Sequence, residues 1–340
     1  MPNRTAELLD FVDRSGWKQA NRSLLAADAS TRSYDRLHHH QTNETRVVMN
    51  EPPISGSSIP AFLQVTEILR KAGFSAPEIY ATDTRNGFLL IEDLGDDLFA
   101  KRCANNPVLE KTLYETAIDV LLELRHQPVP RNIAPYDSAT YLREAQLLTE
   151  WYLPAASQTS VSADLACTFD GLINRTCAQI PKEQSVLVLR DYHAENLLWL
   201  PNRQGIKRVG LLDYQDALIG HPAYDLVSLL EDARRDTTAE LRASMLQRYI
   251  RNSGSNPDEF TKAYHILGAQ RNIKIIGIFA RLFLRDGKKK YLDLIPRVWN
   301  HLQRDLTHPA LAELRDWIDQ HVPAPTPDTL NMLRTQTHDT

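Results

Sequence analysis

A change of pattern near residue 95 is the feature that most constrains the fold. Before it, short apolar runs of strand length are separated by turns and interrupted by a single helical stretch. The predicted strands cover residues 24–27, 34–38, 46–49, 79–82 and 88–91. Beyond the segment GFLLIEDLGDD, long helical patterns dominate. The sequence therefore predicts an α+β protein with a small strand-rich N-terminal part and a larger, mainly helical remainder.

The helical stretch among the predicted strands has a clear apolar face. Residues 59–71 place Phe62, Val65 and Leu69 on that face, and Gly73 ends the pattern. A helix with one apolar face is stable when that face is buried, so we expect this helix to pack on the sheet.

Three short apolar runs interrupt the helical remainder once. Helical patterns cover 107–126, 139–152, 163–179 and 224–234, whereas VLVL at 186–189, LLWL at 197–200 and VGLL at 209–212 are typical of buried strands. Residues 323–340 are rich in Pro and Thr, which predicts a weakly ordered tail. We predict an N-lobe at 1–95, a C-lobe at 96–322 and the tail 323–340, with the chemistry at the interruption.

Composition and charge argue against several classes of protein. The chain has 39 basic and 43 acidic side chains, a balance that does not fit a dedicated nucleic-acid binder. No apolar run is long enough to span a membrane, and the acidic Glu7 and Asp10 lie where a signal peptide needs an apolar stretch. Three cysteines without a close pair favour neither a disulfide framework nor a zinc site. We expect a cytoplasmic monomer without nucleic-acid or membrane partners.

The runs at 197–200 and 209–212 are joined by the polar loop PNRQGIKR, which predicts an antiparallel hairpin. A register symmetric about Gln204 and Gly205 pairs Asn196 with Asp213 at the open end, with Cβ atoms about 5 Å apart. Two oxygen ligands that close suit Mg²⁺, which takes few protein ligands and completes its shell with water and phosphate. We therefore expect Asn196 and Asp213 to hold Mg²⁺.

Asp191 lies five residues before Asn196, in a predicted loop that leaves the strand 186–189. We expect its carboxylate to reach a substrate hydroxyl at the same metal. A carboxylate beside an oxygen-ligated metal is suited to phosphoryl transfer, in which positioning and charge neutralisation supply most of the catalysis. The alternative is that these three side chains cap turns at strand ends.

The segments DYHAEN at 191–196 and DYQD at 213–216 resemble the catalytic and metal-binding motifs of the aminoglycoside phosphotransferase superfamily, which has a protein-kinase-like fold. Within it, DASTRSYDR, GFLLIEDLGDD, LREAQLLTEWYL, LRDYHAENLLWL and LDYQDALIGHPAYDLVSLLED are most similar to bacterial anomeric kinases of N-acetylmuramate and N-acetylglucosamine. The resemblance implies a bilobal fold: an antiparallel sheet plus a helix in the small N-lobe, and a catalytic hairpin in the mainly helical C-lobe.

The resemblance also implies roles for the matching positions. Asp191 is expected to be the catalytic base, and Asn196 and Asp213 the metal ligands. Asp225 is expected to brace the catalytic loop, with an ordinary acid in the first turn of a helix as the alternative.

For the nucleotide, the resemblance implies a turn at 28–32 over the ATP phosphates and backbone groups near Glu92 and Leu94 for adenine. The turn is rich in serine and lacks the glycines of G-x-G-x-x-G. The residues expected to contact the phosphates are Ser30, Thr31 and Arg32.

Some positions depart from the family pattern. Leu189 stands where a His usually precedes the catalytic Asp by two residues. Met49 stands near the place of a phosphate-pairing cation, and the next helix offers Val65 or Glu67 for the acid that pairs with it. The anomeric kinases that the chain resembles share this replacement, and Arg32 is available to supply the positive charge.

Acidic and aromatic side chains outside these motifs are candidates for sugar binding. Glu144, Glu150 and Trp151 are expected to form an acidic and aromatic wall, with core packing as the alternative for the aromatic. His193 lies between the base and a metal ligand and is a candidate for contact with phosphate or sugar, with a structural role as the alternative. Asp216 is either a third acid near the metal or a solvated turn residue.

The segment 271–290 combines apolar residues with seven cations. Its apolar positions are spread too broadly for one membrane-facing side. The pattern therefore favours a buried helix whose cations extend to water over association with a membrane.

We expect an ATP- and Mg²⁺-dependent kinase that phosphorylates the anomeric hydroxyl of N-acetylmuramate or N-acetylglucosamine in the recycling of cell-wall sugars, as the resemblance implies. One alternative is a phosphotransferase for an aminoglycoside, choline or homoserine, since a strongly acidic pocket suits cationic substrates. A second alternative is a catalytically inactive nucleotide-binding module, which the departures at Leu189 and Met49 allow.

Overall fold

The computed structural model describes residues 4–27, 32–53, 58–181 and 185–336. Contacts between residues divide the chain into two compact units. The first contains Met1–Val120 and Ala194–Ala217, and the second contains Leu121–His193 and Leu218–Thr340. The predicted lobe boundary near residue 95 lies within the first unit, which also contains the predicted hairpin.

A five-stranded antiparallel sheet forms the centre of the first unit. All five predicted strands are present, each longer than predicted, and the α+β class is confirmed. The strands pair in the order β1-β2-β3-β5-β4. They are β1 (Ala20–Ala27), β2 (Ser33–His39), β3 (Thr45–Asn50), β4 (Ile79–Asp83) and β5 (Phe88–Glu92).

Two helices of the first unit bury apolar faces. Helix α1 (Arg4–Arg14), which was not predicted, buries Phe11, whose ring stacks on Phe88 of β5 with the centroids 5.6 Å apart. Helix α2 (Ile59–Lys71) has the predicted bounds and buries the predicted face. Helix α3 (Phe99–Asn105) and the first part of α4 (Glu110–His126) complete the unit.

Two small two-stranded sheets account for the interruption of the helical part. In the second unit β6 (Val186–Val188) pairs with β9 (Leu218–Gly220), and in the first unit β7 (Leu197–Trp199) pairs with β8 (Val209–Leu211). The three predicted strands are therefore present. Strand β9 has only three residues, too few to give an alternating pattern in the sequence.

Apart from the β6–β9 pair, the described part of the second unit is mainly helical, and several of its helices pack on the 28-residue helix α10 (Pro257–Leu284). The predicted helix 139–152 is divided into a helix at Ser138–Ala145, labelled α5, and a π-helical turn at Leu148–Tyr152. None of the helices in the described part of the chain is long and apolar enough to cross a membrane. The remaining helices are α6 (Leu153–Ser157), α7 (Ala163–Cys177), α8 (Ala223–Leu230), α9 (Ala239–Ser253), α11 (Ile295–Asp305), α12 (Ala312–His321) and α13 (Pro327–Thr335).

Helix α10 approaches the π-helical turn closely because position 277 is glycine. A Cβ atom on Gly277 would lie 2.3 Å from the carbonyl carbon of Leu147, a distance that no side chain tolerates. This close contact holds the central helix against the segment that follows α5.

The prediction of a weakly ordered tail is wrong for residues 323–336. Helix α13 begins with Thr326 as its N-cap, whose side chain accepts a hydrogen bond from the N–H of Thr329. It buries Leu330 and Leu333, and the Tyr152 hydroxyl donates to the carbonyl of Pro323 at 2.7 Å. Leu330 and Leu333 are three residues apart, a spacing that places both side chains on one buried helical face.

The burial of Leu333 predicts a contribution of α13 to stability. Leu333 is fully buried, whereas Met332 beside it is 41% exposed. We expect Leu333→Ala to lower the free energy of unfolding by about 2–5 kcal/mol because it opens a cavity. Met332→Ala is the matched control and is expected to change it by less than about 0.5 kcal/mol. Urea unfolding followed by circular dichroism measures both, and equal effects would contradict the packing of α13.

Candidate active site

The carboxylate of Asp225 holds the backbone that leads to Asp191. Asp225 lies in the first turn of α8 and is only 2% exposed. Its Oδ2 accepts the N–H of Leu189 at 2.6 Å, and its Oδ1 accepts the N–H of Arg190 at 2.8 Å. Burial raises the pKa of Asp225 to about 7, although these two hydrogen bonds act in the opposite direction. The contacts are those that a brace for the catalytic loop requires, and the role itself stays a prediction.

The loop backbone between β6 and Asp191 adopts an unusual conformation. Arg190 has a φ of 69°, in the left-handed region that side chains other than glycine rarely adopt. Asp225 accepts the N–H of Arg190, and Ser228 Oγ donates a hydrogen bond to the Arg190 carbonyl at 3.0 Å. A residue in this conformation persists only when its surroundings fix it, and Asp225 and Ser228 do so here.

Glu144 contributes to a buried ionic cluster, so its carboxylate is already engaged by protein groups. It pairs with Arg190 and with Lys274 Nζ at 2.9 Å, and it accepts a hydrogen bond from the Tyr136 hydroxyl. Desolvation raises the pKa of Glu144, but the two cations lower it by more and keep it below the ordinary value. The negative charge that was predicted for a sugar-binding wall is therefore neutralised within the protein.

The other two residues of the predicted wall have different surroundings. Glu150 belongs to the π-helical turn and pairs on the surface with Arg143, whose Nη2 lies 2.8 Å from its Oε2. Trp151 is partly buried. Glu144 and Glu150 thus bind different cations, and the contacts do not join them into one acidic surface.

Asp191 keeps a partly exposed carboxylate in a positive environment. Its side chain is 43% exposed, and its Oδ1 lies 3.8 Å from Nη2 of Arg271. Desolvation raises the pKa of Asp191, but the positive charges of Arg271 and Lys274 lower it by more, so the net pKa is below the ordinary value. At neutral pH the group is an ionised acceptor that solvent or a ligand is able to reach.

His193, two residues beyond Asp191, is buried and neutral. It is 4% exposed, and its Nε2 lies 3.1 Å from Nη1 of Arg234. Because arginine is a donor only, Nε2 is the acceptor of this hydrogen bond. Burial and the charge of Arg234 lower the pKa of His193 to about 4. These contacts favour the structural alternative for His193.

The hairpin is present in the first unit, but its predicted register is wrong by one residue. Leu197 pairs with Leu211 and Trp199 with Val209, so the hairpin is symmetric about Gln204 alone. The connecting loop contains a 3₁₀ turn at Gly205–Arg208, on one side of Gln204 only, and this turn accounts for the shift of one residue in the pairing. The carbonyl of Asn196 accordingly accepts the N–H of Leu212 at 3.0 Å, and Asp213 lies one residue beyond this pair.

Asp213 is oriented by its backbone and by two neighbouring side chains. Its φ of 56° takes the chain out of the strand conformation at this residue. Its Oδ1 accepts hydrogen bonds from Gln215 Nε2 at 2.9 Å and from Arg32 Nη2 at 3.3 Å. Tyr214 anchors the turn, because its hydroxyl lies 2.7 Å from that of Thr66 on α2. Asp216 contacts Gln215 Nε2 at 3.4 Å, so both acids of the turn share one amide.

The side chains at this turn fit a magnesium ion. No group of three or more His, Cys, Asp or Glu in the described ranges is spaced to hold a metal, so a metal here depends on few protein ligands. The Asp213 carboxylate and the Asn196 amide supply hard oxygens, the donors that Mg²⁺ prefers. Beside Asp213, the buried Gln215 Oε1 has no hydrogen-bond partner among the residues that the structure describes and is a further oxygen acceptor. A polar oxygen left without a partner fits a site completed by a metal and its water.

The predicted nucleotide-binding residues are described only in part. Ser30 and Thr31 lie outside the described residues, and Arg32 contacts Asp213 as above. Glu92 and Leu94 line a cleft of about 230 Å³ in the first unit with residues 199–203. The Glu92 N–H donates to the carbonyl of Glu78 at 2.7 Å and its carboxylate accepts from Arg203, so these groups are engaged within the protein.

Two positions that depart from the family pattern, Met49 and Glu67, lie in the first unit. Met49 is fully buried in β3, and Glu67 pairs on the surface with Lys71 at 2.5 Å. The cation that pairs with Glu67 therefore comes from its own helix, α2, and not from β3. Arg32 is the cation that the structure brings to the Asp213 turn.

Sequence reasoning missed Arg190, Arg271 and Lys274. Residues 271–284 of the segment 271–290 lie in the buried helix α10, whereas residues 285–290 lie beyond its end. The expectation that the cations extend to water is wrong for Arg271 and Lys274. Their side chains are 6% and 10% exposed. The sequence signal that was available is the position of these two cations within a continuous apolar pattern. Such a pattern indicates buried cations, and a buried cation needs hydrogen-bond acceptors and negative charge around it.

The fold and these side chains define a phosphotransferase with a protein-kinase-like architecture. A family model described as the phosphotransferase enzyme family matches residues 22–261, and the chain belongs to this family.

A relative from Caulobacter vibrioides, named N-acetylmuramate/N-acetylglucosamine kinase, is 37% identical over 95% of this chain and 98% of its own length. Among solved structures, a putative aminoglycoside phosphotransferase from Ralstonia eutropha has a TM-score of 0.61 at 15% identity, covering 91% of this chain and 98% of that one. The ADP-bound aminoglycoside phosphotransferase APH(2'')-Ib has a TM-score of 0.59 at 17% identity, covering 88% and 97%. These two structures support the fold.

The contacts of Asp225 predict a specific effect of its replacement. Asp225→Asn is expected to turn an amide donor toward one of the two backbone N–H groups and to loosen the loop, lowering kcat about 10–100-fold. The KM for ATP is expected to change little, because the Asp225 carboxylate binds the backbone N–H groups of Leu189 and Arg190. Asp236→Asn, at a position 79% exposed, is the matched control with native kcat. Steady-state kinetics measures both, and a native kcat for Asp225→Asn would rule out the brace.

Proposed function

We propose that this protein transfers the terminal phosphoryl group of ATP to the anomeric hydroxyl of N-acetylmuramate or N-acetylglucosamine, in the recycling of cell-wall peptidoglycan. The observation that carries the proposal is the 37% identity to the Caulobacter vibrioides kinase over nearly the whole length of both chains. A reaction that consumes ATP takes place where ATP is made, so the proposed location is the cytoplasm.

Asp191 is the proposed catalytic base. An anomeric hydroxyl is more acidic than an ordinary alcohol, so a carboxylate with a low pKa is basic enough to orient it and to accept its proton late in the transfer. The lowered pKa of Asp191 and its partial exposure support this role, since the group is ionised and accessible to a ligand.

Asn196 and Asp213 are the proposed ligands of Mg²⁺. When bound with ATP, the ion neutralises negative charge on the phosphate oxygens. Gln215 and Arg32 keep the Asp213 carboxylate in place through Oδ1. We further propose that Arg32, with Ser30 and Thr31, contacts the phosphates and that the cleft at Glu92 and Leu94 contributes to binding of adenine.

The charges around Asp191 favour a neutral or anionic sugar over a cationic aminoglycoside. The cations Arg190, Arg271 and Lys274 outnumber Asp191 and Glu144 in this cluster, and Asp225, whose pKa burial raises to about 7, carries only part of a negative charge at neutral pH. An ammonium group of an aminoglycoside would meet net positive charge there, whereas the carboxylate of N-acetylmuramate would be attracted. This balance argues against the strongly acidic pocket that a cationic substrate needs.

Replacement of the proposed base tests the mechanism and the inactive-module alternative together. We expect Asp191→Asn to lower kcat about 10²–10⁴-fold. Binding of ATP is expected to stay nearly native, because the base contacts the acceptor sugar. Asp316→Asn, at a position 72% exposed, is the control. Calorimetric titration with ATP and a coupled kinase assay supply the two readouts, and native turnover in Asp191→Asn would refute the role of Asp191.

A blocked sugar tests the position of phosphorylation. The methyl glycoside of N-acetylglucosamine keeps every hydroxyl except the anomeric one, so we expect no turnover and weak competitive inhibition against the free sugar. Kanamycin, choline and homoserine are expected to be poor acceptors. Phosphorylation of the methyl glycoside at the rate of the free sugar would move the reaction to another hydroxyl, and selective use of kanamycin would replace the sugar assignment.

A further inference from the structure

A buried guanidinium lies beside the Asp191 carboxylate within the second unit. Arg271, in the middle of α10, is 5% exposed. Its Nη2 lies 3.8 Å from Asp191 Oδ1 and donates to Ser228 Oγ at 2.7 Å, while its Nη1 donates to the Tyr224 hydroxyl at 3.3 Å. Two neutral oxygens on α8 therefore fix the guanidinium, and its charge acts on Asp191.

Arg271 differs from the other two cations of the cluster in its ionic partner. Arg190 and Lys274 both pair with Glu144. Within the described part of the chain, the carboxylate at ion-pair distance from Arg271 is that of Asp191. A guanidinium does not lose its charge by deprotonation in a protein, so its field on Asp191 is constant across the pH range of an assay.

Several other titratable groups act on the Asp191 carboxylate. Lys274 comes from α10, Arg190 and His193 from the loop of Asp191 itself, and Asp225 from α8. His193 is neutral above pH 4 or so, because burial and Arg234 lower its pKa to about 4. Arg190 and Lys274 pair with Glu144, whereas Arg271 lies at ion-pair distance from Asp191.

We propose that Arg271 is a positioning residue for the phosphoryl transfer: held by Ser228 and Tyr224, it fixes the Asp191 carboxylate and favours its ionised form, which accepts the proton of the sugar hydroxyl. This inference rests on the proposed role of Asp191 as the base. Leu189, whose apolar side chain is 3% exposed, provides no polar contact of this kind from the loop.

The test is the pH profile of kcat for the full-length protein with ATP, Mg²⁺ and N-acetylglucosamine. Without the cation the pKa of Asp191 rises, so the acidic midpoint of the profile for Arg271→Gln is expected to move to higher pH by about one unit. Its kcat at pH 7 is expected to fall about 10–100-fold, since the base is no longer fixed, with little change in the KM for ATP. Arg285→Gln, an exposed arginine just after α10, is the matched control with a native profile.

Arg271→Lys separates the charge from the geometry. Lysine keeps the positive charge but lacks the planar fork that spans Ser228 and Tyr224, so we expect a native acidic midpoint with a reduced kcat. This variant also decides the matter if Arg271→Gln does not fold, because a shifted midpoint or a native kcat in Arg271→Lys would contradict the proposal.

The outcomes distinguish this inference from the proposed function. An unshifted midpoint in a folded Arg271→Gln, with Asp191→Asn inactive, overturns the role of Arg271 and leaves Asp191 as the base. A fully active Asp191→Asn overturns both. A shifted midpoint in Arg271→Gln together with a native midpoint in Arg271→Lys supports the proposal.

Discussion

The two hydrogen bonds from Leu189 and Arg190 to the Asp225 carboxylate are the contacts on which the Asp191 loop depends. They hold a backbone in which Arg190 has a positive φ, and this conformation in turn directs the Arg190 side chain into the cluster with Glu144. Removal of one partner of a buried hydrogen bond costs more free energy than the hydrogen bond contributes. The remaining partner is then buried with neither water nor protein to satisfy it. The positions of the loop, the ionic cluster and Asp191 therefore depend on one another.

Helix α10 supplies the polar groups for this unit on one side and for a second buried cluster on another. Arg271 and Lys274 reach the cluster near Asp191, whereas Asn272 Nδ2 donates to Glu231 at 2.8 Å and to Asp305 at 3.0 Å. Burial raises the pKa of both acids to about 8, so this pair retains a proton at neutral pH. A helix with polar groups on several buried sides has a unique orientation, because rotation would leave each of them without its partner.

Local patterns in the sequence predicted the elements well and the side-chain partners poorly. The bounds of α2 followed from its apolar face and from Gly73, both of which are local signals. The hairpin register failed by one residue because the 3₁₀ turn at Gly205–Arg208 has no distinctive local pattern. The partners of Glu144 were not predictable, since Arg190 and Lys274 are 46 and 130 residues away in the chain. Helix α13 was missed because only two apolar side chains specify its buried face.

The ³¹P NMR spectrum of the product formed from ATP and N-acetylglucosamine tests the central claim most directly. Transfer to the anomeric hydroxyl predicts one new phosphomonoester signal that is split by coupling to the anomeric proton. A signal coupled instead to the two protons of the C6 methylene, or the appearance of inorganic phosphate alone, would contradict the account.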